Sequence, residues 1–260
     1  MIALVTDFSS QDPYVAQMKG AILTINPDAR IIDINHELRN FDLWQASYFL
    51  AKAARYYPAG TIFVVVDPGV GGSRKPIALK TNDDKIFVGP DNGVFSHVMD
   101  SEGVAAVYEL DNPKYYRSPD VSNTFHGRDI FGPVAAYLAS GVDLGKIGSS
   151  TKQVTKLKID PASRIARKIT GAVVYIDHYG NVITNIKPEN FDQDVSGRLV
   201  KITLGGKTIS VPVVKSYAEG PADRLFVLFN SDGELELSLN QKSAADFLKT
   251  KNGVPLTIVY

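Results

Sequence analysis

The hydrophobic rhythm of the chain changes partway along, and that change constrains the fold more than any other feature. In the first half, short apolar runs alternate with stretches of helical periodicity. Ile2-Ala-Leu-Val-Thr6 and Thr61-Ile-Phe-Val-Val-Val66 read as buried strands, and Ala29–Ile34 as a third. Between them, Tyr14, Met18, Ile22 and Ile25 recur at helical spacing within Asp12–Ile25, and a second helix fits Leu43–Tyr56. Further short strands fit Ile77–Lys80 and Ile86–Val88, and an apolar helix fits Ile130–Ala139. Strands separated by helices require crossover connections, so the sheet must contain parallel pairs. From Lys168 onward the helices disappear. Strands fit Thr170–Asp177, Leu199–Leu204, Thr208–Val213, Arg224–Phe229, Leu235–Ser238 and Pro255–Val259, the pattern of a small barrel or sandwich. Gly141–Pro161 has no periodicity and reads as the linker, which sets an α/β domain over 1–160 and a β-rich domain over 161–260.

Composition narrows the chemistry. Lys and Arg number 28 against 28 Asp and Glu, so no surplus of cations exists for a nucleic-acid backbone. Cysteine is absent, which removes disulfides, thiolate metal sites and a thiol nucleophile. The longest strongly apolar run, Ile62–Val66, is too short for a membrane span, and Met1–Asp7 reads as a strand, not a signal peptide; a soluble cytoplasmic protein is expected.

Four clusters carry groups able to do chemistry. In sheets with parallel pairs, ligands collect where strands end. Asp7 stands at such an end, in Thr6-Asp-Phe-Ser-Ser-Gln-Asp12-Pro-Tyr14, and its carboxylate suits two neighbouring sugar hydroxyls; Asp12 reads equally well as a helix cap. In Asp67-Pro-Gly-Val-Gly-Gly-Ser-Arg74, glycines set Asp67 and Arg74 on opposite sides of one turn. No Gly-Lys-Ser/Thr ending follows, so this is not a phosphate loop; a hairpin connection would explain the glycines but not the charges that bracket them. Phe125-His-Gly-Arg-Asp129 precedes an apolar helix, a junction that presents free N–H groups. His126 there could exchange a proton near neutral pH, while Arg128 and Asp129 could simply pair. Asp177-His-Tyr-Gly-Asn181 is good turn chemistry, yet Tyr179 could also stack on a planar ring while Asn181 offers a donor and an acceptor. Together the clusters suggest an adenosyl pocket more than a phosphate pocket.

These motifs occur in order with Gly89-Pro-Asp-Asn-Gly93, Thr184-Asn185 and Asn230-Ser231. With them the chain resembles the S-adenosyl-L-methionine hydrolase family, also called S-adenosylmethionine hydroxide adenosyltransferases, relatives of fluorinase and chlorinase. The resemblance spans nearly the whole chain. It implies an α/β N-terminal domain with a central mixed or parallel sheet, a smaller β-barrel-like C-terminal domain, and a homotrimer with active sites between subunits. It implies that water, as hydroxide, attacks ribose C5′ and displaces methionine, with no cofactor and no metal.

By the same resemblance, Asp67, Arg74 and His126 would form the catalytic set. Asp7 would bind the ribose hydroxyls, with Phe8 nearby. Tyr179 would stack on adenine, Asn181 would read its edge, and the Leu239 backbone would approach it. Asp12, Tyr14, Asp177, Ser231 and Glu236 would surround the amino-acid end. The halogenating relatives have Tyr and Ser where this chain has His126 and Gly127, which favours hydrolysis; they also carry Arg where Asp232 follows Ser231. Other readings are halogenase-type substitution on the same substrate, a metal-dependent hydrolase built on Asp7, Asp67, Asp91 and His126, and a non-catalytic adenosine or S-adenosylmethionine sensor. The metal reading lacks a recognised ligand spacing.

Overall fold

A computed structural model describes residues 1–66, 72–158 and 160–260. The chain divides into two compact units, Met1–Leu157 and Lys158–Tyr260. In the first unit the elements run β1 (Ile2–Thr6), α1 (Tyr14–Ile25), β2 (Ile31–Asn35), α2 (Leu43–Ala54), β3 (Ile62–Val66), β4 (Pro76–Lys80), β5 (Ile86–Pro90), α3 (Ser96–Glu102), β6 (Ala106–Glu109), α4 (Gly132–Ala139) and β7 (Ser149–Ser150). They build one mixed sheet in the order β2-β1-β3-β5-β4-β6-β7. The pairs β2–β1, β1–β3 and β3–β5 are parallel, and β5–β4, β4–β6 and β6–β7 are antiparallel.

β1 and β3 are buried along their whole length because both faces of the sheet are covered. Side chains alternate between the faces. Ile2, Leu4, Ile62 and Val64 pack with Met18 and Ile22 of α1 and Val134 of α4, whereas Ala3, Val5, Phe63 and Val65 pack with Leu50 of α2 and Val98 of α3. The Asp42 side chain caps α2 by accepting from the Gln45 N–H at 2.9 Å. α1 begins at Tyr14, because Pro13 occupies the N-cap; no side chain caps that end, and Asp12 is exposed just outside it. α4 is entered through a π-helical turn, Gly127–Phe131, so the helical stretch starts three residues before Ile130.

The second unit contains β8 (Ser163–Ile165), β9 (Lys168–Ile176), β10 (Val182–Thr184), β11 (Leu199–Leu204), β12 (Lys207–Pro212), β13 (Phe226–Phe229), β14 (Leu235–Ser238), α5 (Ala244–Leu248) and β15 (Pro255–Val259). All pairings between these strands are antiparallel, in the order β12-β11-β15-β9-β10-β14-β13, with β8 on β9. The two end strands approach each other through a single bridge, Val213 to Val227, where the Val214 N–H donates to the Val227 carbonyl at 2.8 Å. The sheet is therefore a nearly closed barrel, filled by Ile169, Val173, Val182, Val200, Ile202, Val211, Leu235, Leu237, Leu256 and Ile258. Among the described residues, no helix is long and apolar enough to cross a membrane.

Candidate active site

At the C-terminal ends of the parallel strands, two loops of the first unit are stitched together. Thr6 is fully buried, and its hydroxyl meets His36 Nδ1 at 2.9 Å and accepts from the Phe8 N–H at 3.3 Å. Ser9 N–H donates to the His36 carbonyl, and Glu37 accepts from the Ser9 hydroxyl and from both the N–H and the hydroxyl of Ser10. These bonds hold the turn that carries Asp7 and Phe8. Asp7 is half-buried, and desolvation raises its pKa above the ordinary carboxylate value, partly offset by a backbone hydrogen bond. A carboxylate short of solvent gains more from ligand hydroxyls than an exposed one does. Phe8, Tyr14 and Phe125 form a closed cluster, with ring centroids 5.4 to 5.5 Å apart.

His126 opens the π-helical turn before α4. Its position follows from Gly127: a Cβ there would lie 3.0 Å from Val66 Cγ2 and 3.1 Å from Met18 Sδ, so glycine lets this backbone press closely onto the end of β3. Arg74 and His126 gather on one ring. The guanidinium carbon lies 5.9 Å from the Phe131 centroid, and the His126 ring stands edge-on to it at 6.2 Å. His126 Nδ1 is buried. Burial first and the Arg74 charge second lower the His126 pKa below 6.5, with Asp129 pulling the other way, so the imidazole is neutral at pH 7.

Asp129 holds the segment that leads to His126. It is 1% exposed and accepts from Arg117 Nε at 2.6 Å, Arg128 Nε at 2.7 Å, Arg128 Nη2 at 2.9 Å and the Ser122 N–H at 2.9 Å. Those bonds hold its carboxyl far below the ordinary range despite burial. Arg128 and Asp129 thus pair with each other, and Arg128 also lies over Phe125 at 4.9 Å. Asp67 and the first part of the glycine-rich loop, 67–71, lie outside the described residues. Asp91 accepts from the Thr155 N–H at 2.7 Å.

A pocket of about 570 Å³ lies in the second unit, and it brings together four of the expected residues, Asp177, Tyr179, Asn181 and Leu239. The turn that presents them is locked. Asp177 accepts from the Asn181 N–H and from Asn181 Nδ2, each at 2.8 Å, while Gly180 adopts a φ of +82°. Asn181 is therefore oriented by Asp177, and Tyr179 is left 78% exposed with its ring available for contact. Ser231 lies outside this group, exposed at the β13–β14 hairpin. Glu236 is buried, and its Oε1 accepts from the Tyr217 hydroxyl at 2.6 Å and the Ser238 hydroxyl at 2.7 Å.

Sequence reasoning missed Tyr217, Asn240, Gln241, Lys242 and Ser243, which complete the pocket lining. Tyr217 comes from a turn between β12 and β13 that no motif marks. For the others a signal existed: Ser243 caps α5 by accepting from the Asp246 N–H, and Ser-x-x-Asp is a readable helix start.

Fold and site together define a two-unit protein, an α/β sheet followed by an antiparallel barrel, with aromatic and carboxylate groups suited to a small polar molecule bearing a planar ring. Comparison with known proteins gives this class a family. The model of the SAM hydroxide adenosyltransferase N-terminal domain matches residues 2–148, and that of the C-terminal domain matches residues 171–257. The chain belongs to the SAM hydroxide adenosyltransferase family. It is 34% identical over its whole length to the (R)-S-adenosyl-L-methionine hydrolase of Methanocaldococcus jannaschii, covering 96% of that protein. It is 26% identical to a fluorinase of an Actinoplanes species, with 99% of this chain and 97% of that protein covered. A crystal structure of an uncharacterized conserved protein from Thermotoga maritima superposes with a TM-score of 0.93 at 38% identity, with both chains fully covered.

Proposed function

We propose that this protein hydrolyses S-adenosyl-L-methionine to adenosine and L-methionine without a cofactor or metal. The observation that carries the reading is the gathering of a neutral His126 and the Arg74 guanidinium on Phe131. A neutral imidazole accepts a proton, and a guanidinium beside it favours the hydroxide that forms. In the step, water gives a proton to His126 as its oxygen bonds to ribose C5′. The C5′–S bond breaks, its electron pair stays on sulfur, and the sulfonium leaves as the neutral thioether of methionine. No acid is needed for that leaving group. The family resemblance assigns Asp67 to orienting the water, Asp7 and Phe8 to the ribose, and Asp12, Tyr14, Asp177, Ser231 and Glu236 to the amino-acid end. Tyr179, Asn181 and the Leu239 backbone take the adenine, consistent with their common pocket.

Full-length identity of 31 to 34% to four proteins named (R)-S-adenosyl-L-methionine hydrolase supports the reaction and points to the (R) sulfonium epimer. The chain's His126-Gly127 pair speaks against halogenation. A cytoplasmic homotrimer with active sites between subunits, needing no nucleic-acid or membrane partner, belongs to the same proposal.

The test is to incubate purified protein with each epimer separately, with and without excess chelator, and to follow adenosine by chromatography. Adenosine should form, faster from the (R) epimer and equally with chelator. His126→Ala should lower kcat by roughly 10²-fold or more. Absence of adenosine from both epimers rejects the proposal.

A further inference from the structure

Glu236 has chemistry that an amino-acid ligand role leaves unexplained. It lies on β14, where Leu235 and Leu237 point into the barrel core, so Glu236 and Ser238 point to the opposite face. All four residues are buried nonetheless. The segment carrying the Tyr217–Glu219 turn packs against that face: Tyr217 stands edge-on to Phe226 at 6.4 Å, and an added Cβ on Gly220 would fall 2.5 Å from the same ring. Asn240 Nδ2 pins the segment by donating to the Gly220 carbonyl at 2.8 Å.

Inside this arrangement a carboxylate 3% exposed directs one oxygen at two hydroxyls, Tyr217 at 2.6 Å and Ser238 at 2.7 Å. A buried carboxylate is costly unless hydrogen-bonded, and the bonds it makes are stronger than those between neutral groups. Tyr217 is half-exposed, and its ring lines the same pocket as Tyr179 and Asn181. Burial, and then the Glu236 hydrogen bond, raise the phenol pKa, so Tyr217 remains the donor across the working pH range.

We infer that Glu236 is a positioning residue that fixes the Tyr217 ring as a wall of the base-binding pocket, and that it does not bind the methionine ammonium group. This rests on reading the pocket as the site for the adenine ring. Ser238 shares the carboxylate oxygen and orients it, so the bond to Tyr217 is made by a group that is itself held.

The two roles for Glu236 separate cleanly, because adenosine has the base and lacks the ammonium group. Adenosine affinity is measured by calorimetry, and kcat and KM with S-adenosyl-L-methionine, for wild type, Glu236→Leu, Glu236→Gln and Tyr217→Phe. Glu236→Leu should weaken adenosine binding roughly tenfold and raise KM by a similar factor, with kcat changed less than about twofold. Glu236→Gln keeps an acceptor for the phenol and should recover most of the loss. Tyr217→Phe should weaken adenosine to a similar degree, and the Tyr217→Phe, Glu236→Leu double variant should be no worse than Glu236→Leu alone. Should Glu236→Leu fail to fold, Tyr217→Phe reads the same bond from its exposed side. Adenosine affinity unchanged in Tyr217→Phe, or a loss confined to S-adenosyl-L-methionine in the Glu236 variants, overturns the inference. Failure of the wild type to bind adenosine at all overturns the pocket reading on which it stands, a result distinct from intact binding that ignores the variants.

Discussion

His126 shows how little of a residue's chemistry resides in its type. A solvated histidine would be partly protonated just below neutral pH, whereas burial and Arg74 hold this one deprotonated. The pH consequence has a definite sign. The neutral base is the active form, so kcat/KM should fall as pH drops through a value below 6.5 and should be flat above it; the folding stability contributed by the depressed pKa disappears over the same interval. A pH–rate profile checks this, and an acid limb centred above 6.5 would contradict it. Arg74, His126, Tyr179 and Asn181 stand out in the sequence because each sits beside a glycine turn, where side chains of those types have few structural reasons to be; the structure sets Arg74 and His126 on Phe131 and puts Tyr179 and Asn181 in one pocket. The environment of His126 was not legible, because Arg74 is 52 positions away and the two side chains meet on Phe131 only in the folded chain. The same holds for Glu236, whose burial depends on a turn that no local pattern announces.

Elements bounded by chain-breaking residues were read closely. β11, β14 and β15 match the expected spans, since a glycine, proline or asparagine lies within two residues of an end of each. α3, β6, β7, β8 and β10 were missed. α3 buries only Ser96 and Val98 over seven residues and has no side-chain cap, so its periodicity is too faint; β10 is three residues long. The π-helical turn was invisible for a different reason: Gly127-Arg-Asp129 is charged and begins with glycine, so it reads as a loop before the apolar helix. The turn between β9 and β10 permits a controlled experiment. At Gly180 an added Cβ would meet Ser243 Oγ at 2.2 Å and its Cα at 2.8 Å, at a φ of +82°; at Gly206 the φ is +79° and nothing lies within 4 Å. Gly206→Ala should cost only the backbone strain, roughly 1 kcal/mol. Gly180→Ala should cost about 1 to 3 kcal/mol more and weaken adenosine binding, because Ser243 lines the pocket. Denaturant titration of both variants measures the difference, and equal losses would show that the contact with Ser243 yields freely.

For the molecule as a whole, the two units have separate hydrophobic interiors, two on the faces of the mixed sheet and one within the barrel. The proposed homotrimer makes assembly part of activity. Light scattering should give a mass near three times 28.3 kDa, and specific activity should fall on dilution below the dissociation constant of the trimer. A monomer with full, concentration-independent activity would refute it. The seam of the barrel has a further consequence. Most neighbouring strands share a ladder of bonds, but β12 and β13 meet through the Val213–Val227 bridge. The easiest way for such a shell to breathe is along its shortest seam, where the fewest bonds must part. The stretch that leaves this seam at Val214 carries Tyr217. A ligand seated against that tyrosine rests on the segment that leaves the barrel's shortest seam, so the route by which the pocket loosens is already drawn in the order of its strands.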